Sequence, residues 1–147
     1  MDNATHKFGI RFCLANPAAK PLADFIPVFH DWIQRKALVG HQLIDVHDYR
    51  HVAGGPGILL VAHEANINFD GQSLTYTRKQ PTALAETIAA ARRAAQLLDL
   101  PFVEKPFEVF VNDRLATVTT AQVAAATGGK VAEKPGDPRE RLTFVVT

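Results

Sequence analysis

The stretch ANINFDGQSLTYTRKQPTALAETIAAARRAAQLLDLP, residues 65–101, contains two hydrophobic periods in succession. From Asn66 to Phe69 and from Gln72 to Thr77, apolar and polar side chains alternate, which is the period of a half-buried strand. Asp70-Gly71 between them is the strongest short-range hairpin signal, because tight hairpin turns need the positive φ that Gly accepts. A two-residue turn there predicts Phe69 opposite Gln72, Ile67 opposite Leu74 and Ala65 opposite Tyr76, giving one mostly apolar face. The period then lengthens. Leu84, Ile88, Ala91, Ala95 and Leu98 recur at helical spacing, with Glu86, Arg92, Arg93 and Gln96 outward. This predicts a helix from about Ala83 to Leu98, opened by Thr82 and stopped by Pro101. A hairpin followed by an Ala-rich amphipathic helix implies a sheet with helices packed on one face.

The same two periods extend outward from this stretch. Residues 8–15 alternate as a first strand, with Phe8, Ile10, Phe12 and Leu14 on one side. Residues 22–37 place Leu22, Phe25, Ile26, Phe29, Trp32 and Ile33 on one helical face, with Asp24 as cap, Pro27 in the first turn and Gly40 as the end. Strands are predicted at Gln42 to Val46 and Ile58 to His63, separated by a polar loop through Ala53-Gly54-Gly55-Pro56-Gly57. Further on, Phe107 to Val111 is a strand with Phe110 opposed to Phe107, Val109 and Val111. A short helix capped by Thr120 runs to Thr127, and Lys130 to Arg141 is an exposed connection. Leu142 to Val146 is a final strand, read as unpaired and therefore as a route to a homodimer.

The order predicts one α+β domain over residues 1–147, with residues 1–6 and about 130–141 flexible. Its mixed or antiparallel sheet is covered by two main helices, in a ferredoxin-like βαββαβ series with an extra hairpin and a C-terminal strand. Composition agrees with a globular chain: 47% apolar and 21% charged residues are far from the disordered corner. A single cysteine, Cys13, excludes an intramolecular disulfide and fits a reducing compartment. No apolar run approaches the roughly 20 residues needed to cross a bilayer, and the start of the chain lacks signal-peptide character, so a cytoplasmic, non-membrane protein is expected. Net charge is +1 with both signs interspersed, whereas nucleic-acid binders concentrate Lys and Arg.

Five of the six histidines, His30, His41, His47, His51 and His63, fall between residues 30 and 63, near Asp45, Asp48 and Glu64. Histidine and carboxylate together can bind a divalent metal or exchange protons near neutral pH. A hairpin centred near Val52 puts His47 opposite Ile58 and His63 opposite Gln42, which separates the two ends by roughly 16 Å. Two groups result: His47, Asp48, Tyr49 and His51 at the loop end, and His41, His63 and Glu64 at the other. The ligand-binding candidates are thus His47, Asp48, Tyr49, His51, His63 and Glu64, with His47, His51 and His63 as the alternative metal set. The competing account is structural, in which these side chains satisfy loop backbone groups. Gly54-Gly55-Pro56-Gly57 leads into a strand instead of a helix, unlike a phosphate cradle. Asn112-Asp113-Arg114 reads as an Asx-type turn at a strand end, and Cys13 has no activating neighbour in sequence.

The runs Phe29-His30-Asp31-Trp32-Ile33-Gln34, Leu43-Ile44-Asp45-Val46 with Asp48-Tyr49-Arg50-His51-Val52, Gly55-Pro56-Gly57 leading to His63-Glu64, and Phe110-Val111-Asn112-Asp113-Arg114-Leu115 resemble a family of small uncharacterised bacterial proteins. The resemblance spans about residues 25–115 and implies a bacterial cytosolic protein. It carries no activity, cofactor or site residue. From the residues themselves, the leading expectation is a homodimeric, non-catalytic or accessory domain that binds a small ligand or protein partner through the loop around residues 47–57. The alternative is a metal-dependent or acid–base enzyme using the His, Asp and Glu residues between 41 and 64.

Overall fold

A computed structural model describes residues 5–16, 20–53, 55–103, 106–111, 118–133 and 142–147. In chain order the elements are β1 (Thr5–His6), β2 (Phe8–Cys13), α1 (Phe25–Arg35), β3 (Leu43–Tyr49), β4 (Gly57–Ala62), β5 (Ala65–Phe69) and β6 (Ser73–Arg78). They continue with β7 (Thr82–Ala83), α2 (Leu84–Leu98), β8 (Phe107–Val111), α3 (Thr120–Thr127), β9 (Val131–Glu133) and β10 (Leu142–Val146). Among the described residues eight strands form one antiparallel sheet in the order β3-β4-β5-β6-β2-β8-β10-β9, and β1 pairs separately with β7. The fold is α+β.

Register shows how the core is laid down. Val46, Leu60, Ile67, Tyr76, Ile10, Val109 and Phe144 are successive partners across seven strands. Residues directly opposite in antiparallel pairs point to the same face, so this row marks the face turned to the helices. All of the row except Val46 is fully buried, and Phe25, Phe29 and Trp32 of α1 and Ile88, Ala91 and Ala94 of α2 are buried with it. The alternate row, His47, Leu59, Asn68, Thr75, Arg11, Glu108 and Val145, lies on the opposite face and is exposed or half-buried. Phe110 on that face is buried, its ring packed on Gly9, where a Cβ would lie 1.9 Å from Phe110 Cε2.

Several local expectations are corrected. The β5–β6 register pairs Phe69 with Leu74, Ile67 with Tyr76 and Ala65 with Arg78, two residues away from the predicted pairing. The turn is centred on Gly71-Gln72: Gly71 takes φ +89 as the first central residue, and Asp70 Oδ1 accepts the Gln72 and Ser73 amides at 2.9 and 2.7 Å. Asp70 therefore serves as an Asx bracket instead of a turn centre, and the apolar face survives because a shift of two preserves parity. Asp24 does not cap α1, because it already has helical angles (φ −68, ψ −14) at the end of a 3₁₀ turn, Leu22–Asp24. Lys36 ends α1 in the left-handed conformation at φ 51, four residues before Gly40. Thr119 rather than Thr120 caps α3, in a capping box with Gln122.

The most consequential correction concerns β10. It is paired on one side with β8 and on the other with β9, so it offers no free edge. Residues 131–133, expected in an exposed connection, form its outer neighbour. Among the described residues the free long edge is instead β3. A bulge between Leu43 and Asp45 shifts its register, and the Val46 amide donates to the Asp45 carboxylate at 2.8 Å. Both devices blunt strand addition.

Candidate functional site

The β3–β4 hairpin carries the sequence-predicted residues at its two ends. Because Ile44 is the extra residue of the bulge, His47 pairs with Leu59 instead of Ile58, and Asp48 with Ile58. At the tip the polar groups satisfy one another. Arg50 Nε and Nη2 donate to the Asp48 carboxylate at 2.9 and 2.7 Å, and the Arg50 amide adds a third donor at 3.0 Å. The Arg50 side-chain hydrogen bond, then that amide, hold Asp48 down at about 2. The His47 ring stacks on Tyr49 with centroids 6.2 Å apart, and its Nε2 lies 3.9 Å from Asp45 Oδ2. His47, Asp48, Tyr49 and His51 are all exposed. The result is a self-bonded surface turn.

At the opposite end, Glu64 accepts the Gln42 amide at 2.7 and 3.1 Å, and the His63 amide donates to the Gln42 carbonyl at 2.8 Å. Burial alone would raise Glu64, but this backbone hydrogen bond and the nearby His41 and His63 leave it below its ordinary value. His41 Nδ1 lies 3.0 Å from the Val39 carbonyl, which can only accept, so Nδ1 carries the proton. In the neutral ring Nε2 is then an acceptor, and the Tyr76 hydroxyl donates to it at 2.6 Å. Arg78 Nη1 donates to the same hydroxyl at 3.2 Å, and Arg78 Nε to Thr82 Oγ1 at 2.8 Å. This chain ties the loop after α1 to β6 and to the start of α2. Burial, outweighing the Arg78 hydrogen bond, raises Tyr76 and keeps it protonated.

The two ends do not merge. His63 lies four residues from Leu59, the partner of His47, or roughly 13 Å along the strand. Among the described residues no three His, Cys, Asp or Glu side chains converge as a metal site, so the set His47, His51 and His63 is not assembled. Gly54 and Asn112-Asp113-Arg114 lie outside the described residues.

A third feature was not singled out by the sequence. The segment after α2 turns back along the end of β2, with Leu14 bridged to Phe102 and the Val103 amide donating to the Cys13 carbonyl at 2.7 Å. Between this segment and α2 is an open cleft of about 240 Å³. Phe12, Ala95, Leu100, Pro101, Phe102 and Val103 line it, and Arg92 and Gln96 are its polar side chains. The Arg92 guanidinium lies over two aromatic rings, 5.7 Å from the Phe12 centroid and 5.3 Å from that of Phe107. Among the described residues the Arg92 guanidinium has no hydrogen-bond acceptor or ion-pair partner. A second cavity of about 210 Å³ on the opposite face is lined by Arg11, Cys13 and Glu108 among others. There the cation is already engaged, since Arg11 lies 3.9 Å from Glu108 and donates to Ser73 Oγ at 3.1 Å. Helical periodicity placed Arg92 outward; only the return of residues 100–103 turns its surroundings into a pocket.

Comparison of the chain with protein-family models, curated proteins and solved structures gave no match.

Proposed function

We propose that this chain is a non-catalytic domain that binds a small ligand in the cavity between α2 and residues 100–103. One observation carries this reading: a largely apolar cleft of about 240 Å³ whose single cation lies over two rings and has no acceptor among the described residues. Concave, mostly apolar sites with a few placed polar groups are the usual form of small-molecule sites. The loop at 47–57, the position expected from sequence, is less suited because its Asp48, Arg50 and backbone groups already bond one another. Titration of labelled protein with benzyl alcohol, followed by amide chemical shifts, is the test. Perturbations centred on Phe12, Ala95, Leu100 and Phe102 and abolished in Ala95→Phe support the reading; perturbations centred on residues 47–57 return the site to the hairpin tip.

We also propose that the fold is a ferredoxin-like βαββαβ series with an extra hairpin and a C-terminal strand. The series β2, α1, β3, β6, α2, β8, with β2 lying between β6 and β8 and the β4–β5 pair inserted, supports it. We assign self-association to the open sheet face around Leu59 and Val145, because β3 is blunted and β9 is only three residues long. Native mass spectrometry tests this: a dimer dissociated by Leu59→Arg supports the assignment, and a dimer that survives the change opposes it.

The acid–base alternative is favoured by one contact, the 2.6 Å approach of His41 Nε2 to Tyr76 Oη beside Glu64. Fast modification of His41 by diethyl pyrocarbonate in the folded protein supports an accessible site, and protection supports a structural latch.

A further inference from the structure

The class of ligand follows from the way Arg92 is held, and this step rests on the ligand-binding reading above. We infer that the cavity takes a carboxylate carried on a compact aromatic or short alkyl body, with Arg92 as its anchor. Cation–π contact with Phe12 and Phe107, at 5.7 and 5.3 Å from the ring centroids, holds the guanidinium beside the cavity. The N–H donors lie around the edge of its plane, and no described side chain or carbonyl accepts from them. A half-buried cation in this state is matched by an anion, and the planar fork of Arg fits a carboxylate with two parallel charge-assisted hydrogen bonds.

The other lining residues set the remainder of the ligand. Gln96 is four residues from Arg92 on α2, so the two share one helix face and are the polar side chains of the lining. Phe12, Ala95, Leu100, Phe102 and Val103 offer no hydrogen-bonding side chain. A ring or short alkyl chain laid against these side chains gains by burial of apolar surface. At about 240 Å³ the space falls below the roughly 300–1,000 Å³ of drug-sized sites, which limits the body to about one ring. A second cation would face Arg92 directly and is excluded.

Benzoate, benzyl alcohol and benzylamine test this, because they share a ring and differ in charge. Dissociation constants come from amide shifts of Phe12, Ala95 and Phe102 in the full chain. Wild type is expected to bind benzoate at least about ten-fold more tightly than benzyl alcohol, and benzylamine most weakly. Arg92→Met should bring benzoate to the level of benzyl alcohol without moving benzyl alcohol, and Arg92→Lys should restore part of the preference. Equal binding of benzoate and benzyl alcohol to wild type overturns the carboxylate assignment and leaves the cavity reading standing. Failure of all three probes to bind overturns both. If Arg92→Met unfolds, the wild-type ranking and Arg92→Lys decide the matter, and a benzoate preference unchanged in Arg92→Lys also overturns the anchor role.

Discussion

Replacing Tyr76 by Phe removes one oxygen from a fully buried ring and leaves the packing volume nearly unchanged. That oxygen donates to His41 Nε2 at 2.6 Å and accepts from Arg78 Nη1 at 3.2 Å, so two hydrogen bonds go, one of them to a cation. Neutral hydrogen bonds contribute about 0.5–1.5 kcal/mol net and charge-assisted ones about 1.5–3 kcal/mol. Arg78 keeps Thr82, and His41 Nε2 is half-buried enough to recruit water, so the loss should fall near 2 kcal/mol. Urea unfolding is the assay, with a lower midpoint and an unchanged slope expected. A cycle with His41→Ala should show coupling of about 1 kcal/mol. The alkaline limb adds a sign: the folded-state value of Tyr76 lies above the ordinary value near 10.0, so its contribution is complete below that value and is lost as pH rises through the folded value. Tyr76→Phe should remove this alkaline loss. A change under about 0.5 kcal/mol, or strictly additive effects with His41→Ala, refutes the shared-hydroxyl reasoning.

Other consequences are equally direct. Gly57 has φ +78, and a Cβ there would sit 2.4 Å from the Phe69 carbonyl oxygen, so Gly57→Ala should cost more than about 2 kcal/mol in thermal or urea unfolding. Gly9→Ala drives a methyl into the Phe110 ring and should cost about 1–3 kcal/mol, relieved in part by Phe110→Leu, which a double-mutant cycle reads as favourable coupling. Thr119→Ala should lower stability by about 1 kcal/mol through loss of the α3 capping box. For Asp48, carboxyl NMR should give a midpoint of about 2, returning toward 3.8 in Arg50→Ala. Because its folded value is depressed, the stabilisation it gives is present above the ordinary value and lost as pH falls from there to about 2.

Strand and helix periods were legible where one face is buried: the alternation of Phe8, Ile10 and Phe12 and the 3.6-residue spacing of α2 mark both elements to within a residue or two. Register was less legible, because an Asp-Gly pair permits two placements of Gly in a turn, and the backbone chose Gly71 as the first central residue. The bulge at Ile44 leaves no mark in the alternation, yet it moves His47 by one partner. The pairing of β10 with β9 across the chain between them was likewise hidden, since a three-residue strand has almost no pattern to read. Of the candidate residues, Glu64 and His41 were visible as titratable types, but Tyr76 looked like core and joins them across 35 residues only through the fold. Arg92 shows the same limit: a charge on the outer side of a helix becomes a ligand candidate only when a distant segment covers it.

The most direct test of the central claim is a crystal of the protein soaked with benzoate at saturating concentration. Density for the ring between Phe12 and Phe102, with the carboxylate within hydrogen-bonding distance of Arg92, is the predicted result. A cavity that stays empty while benzoate occupies the 47–57 turn, or binds nowhere, contradicts it.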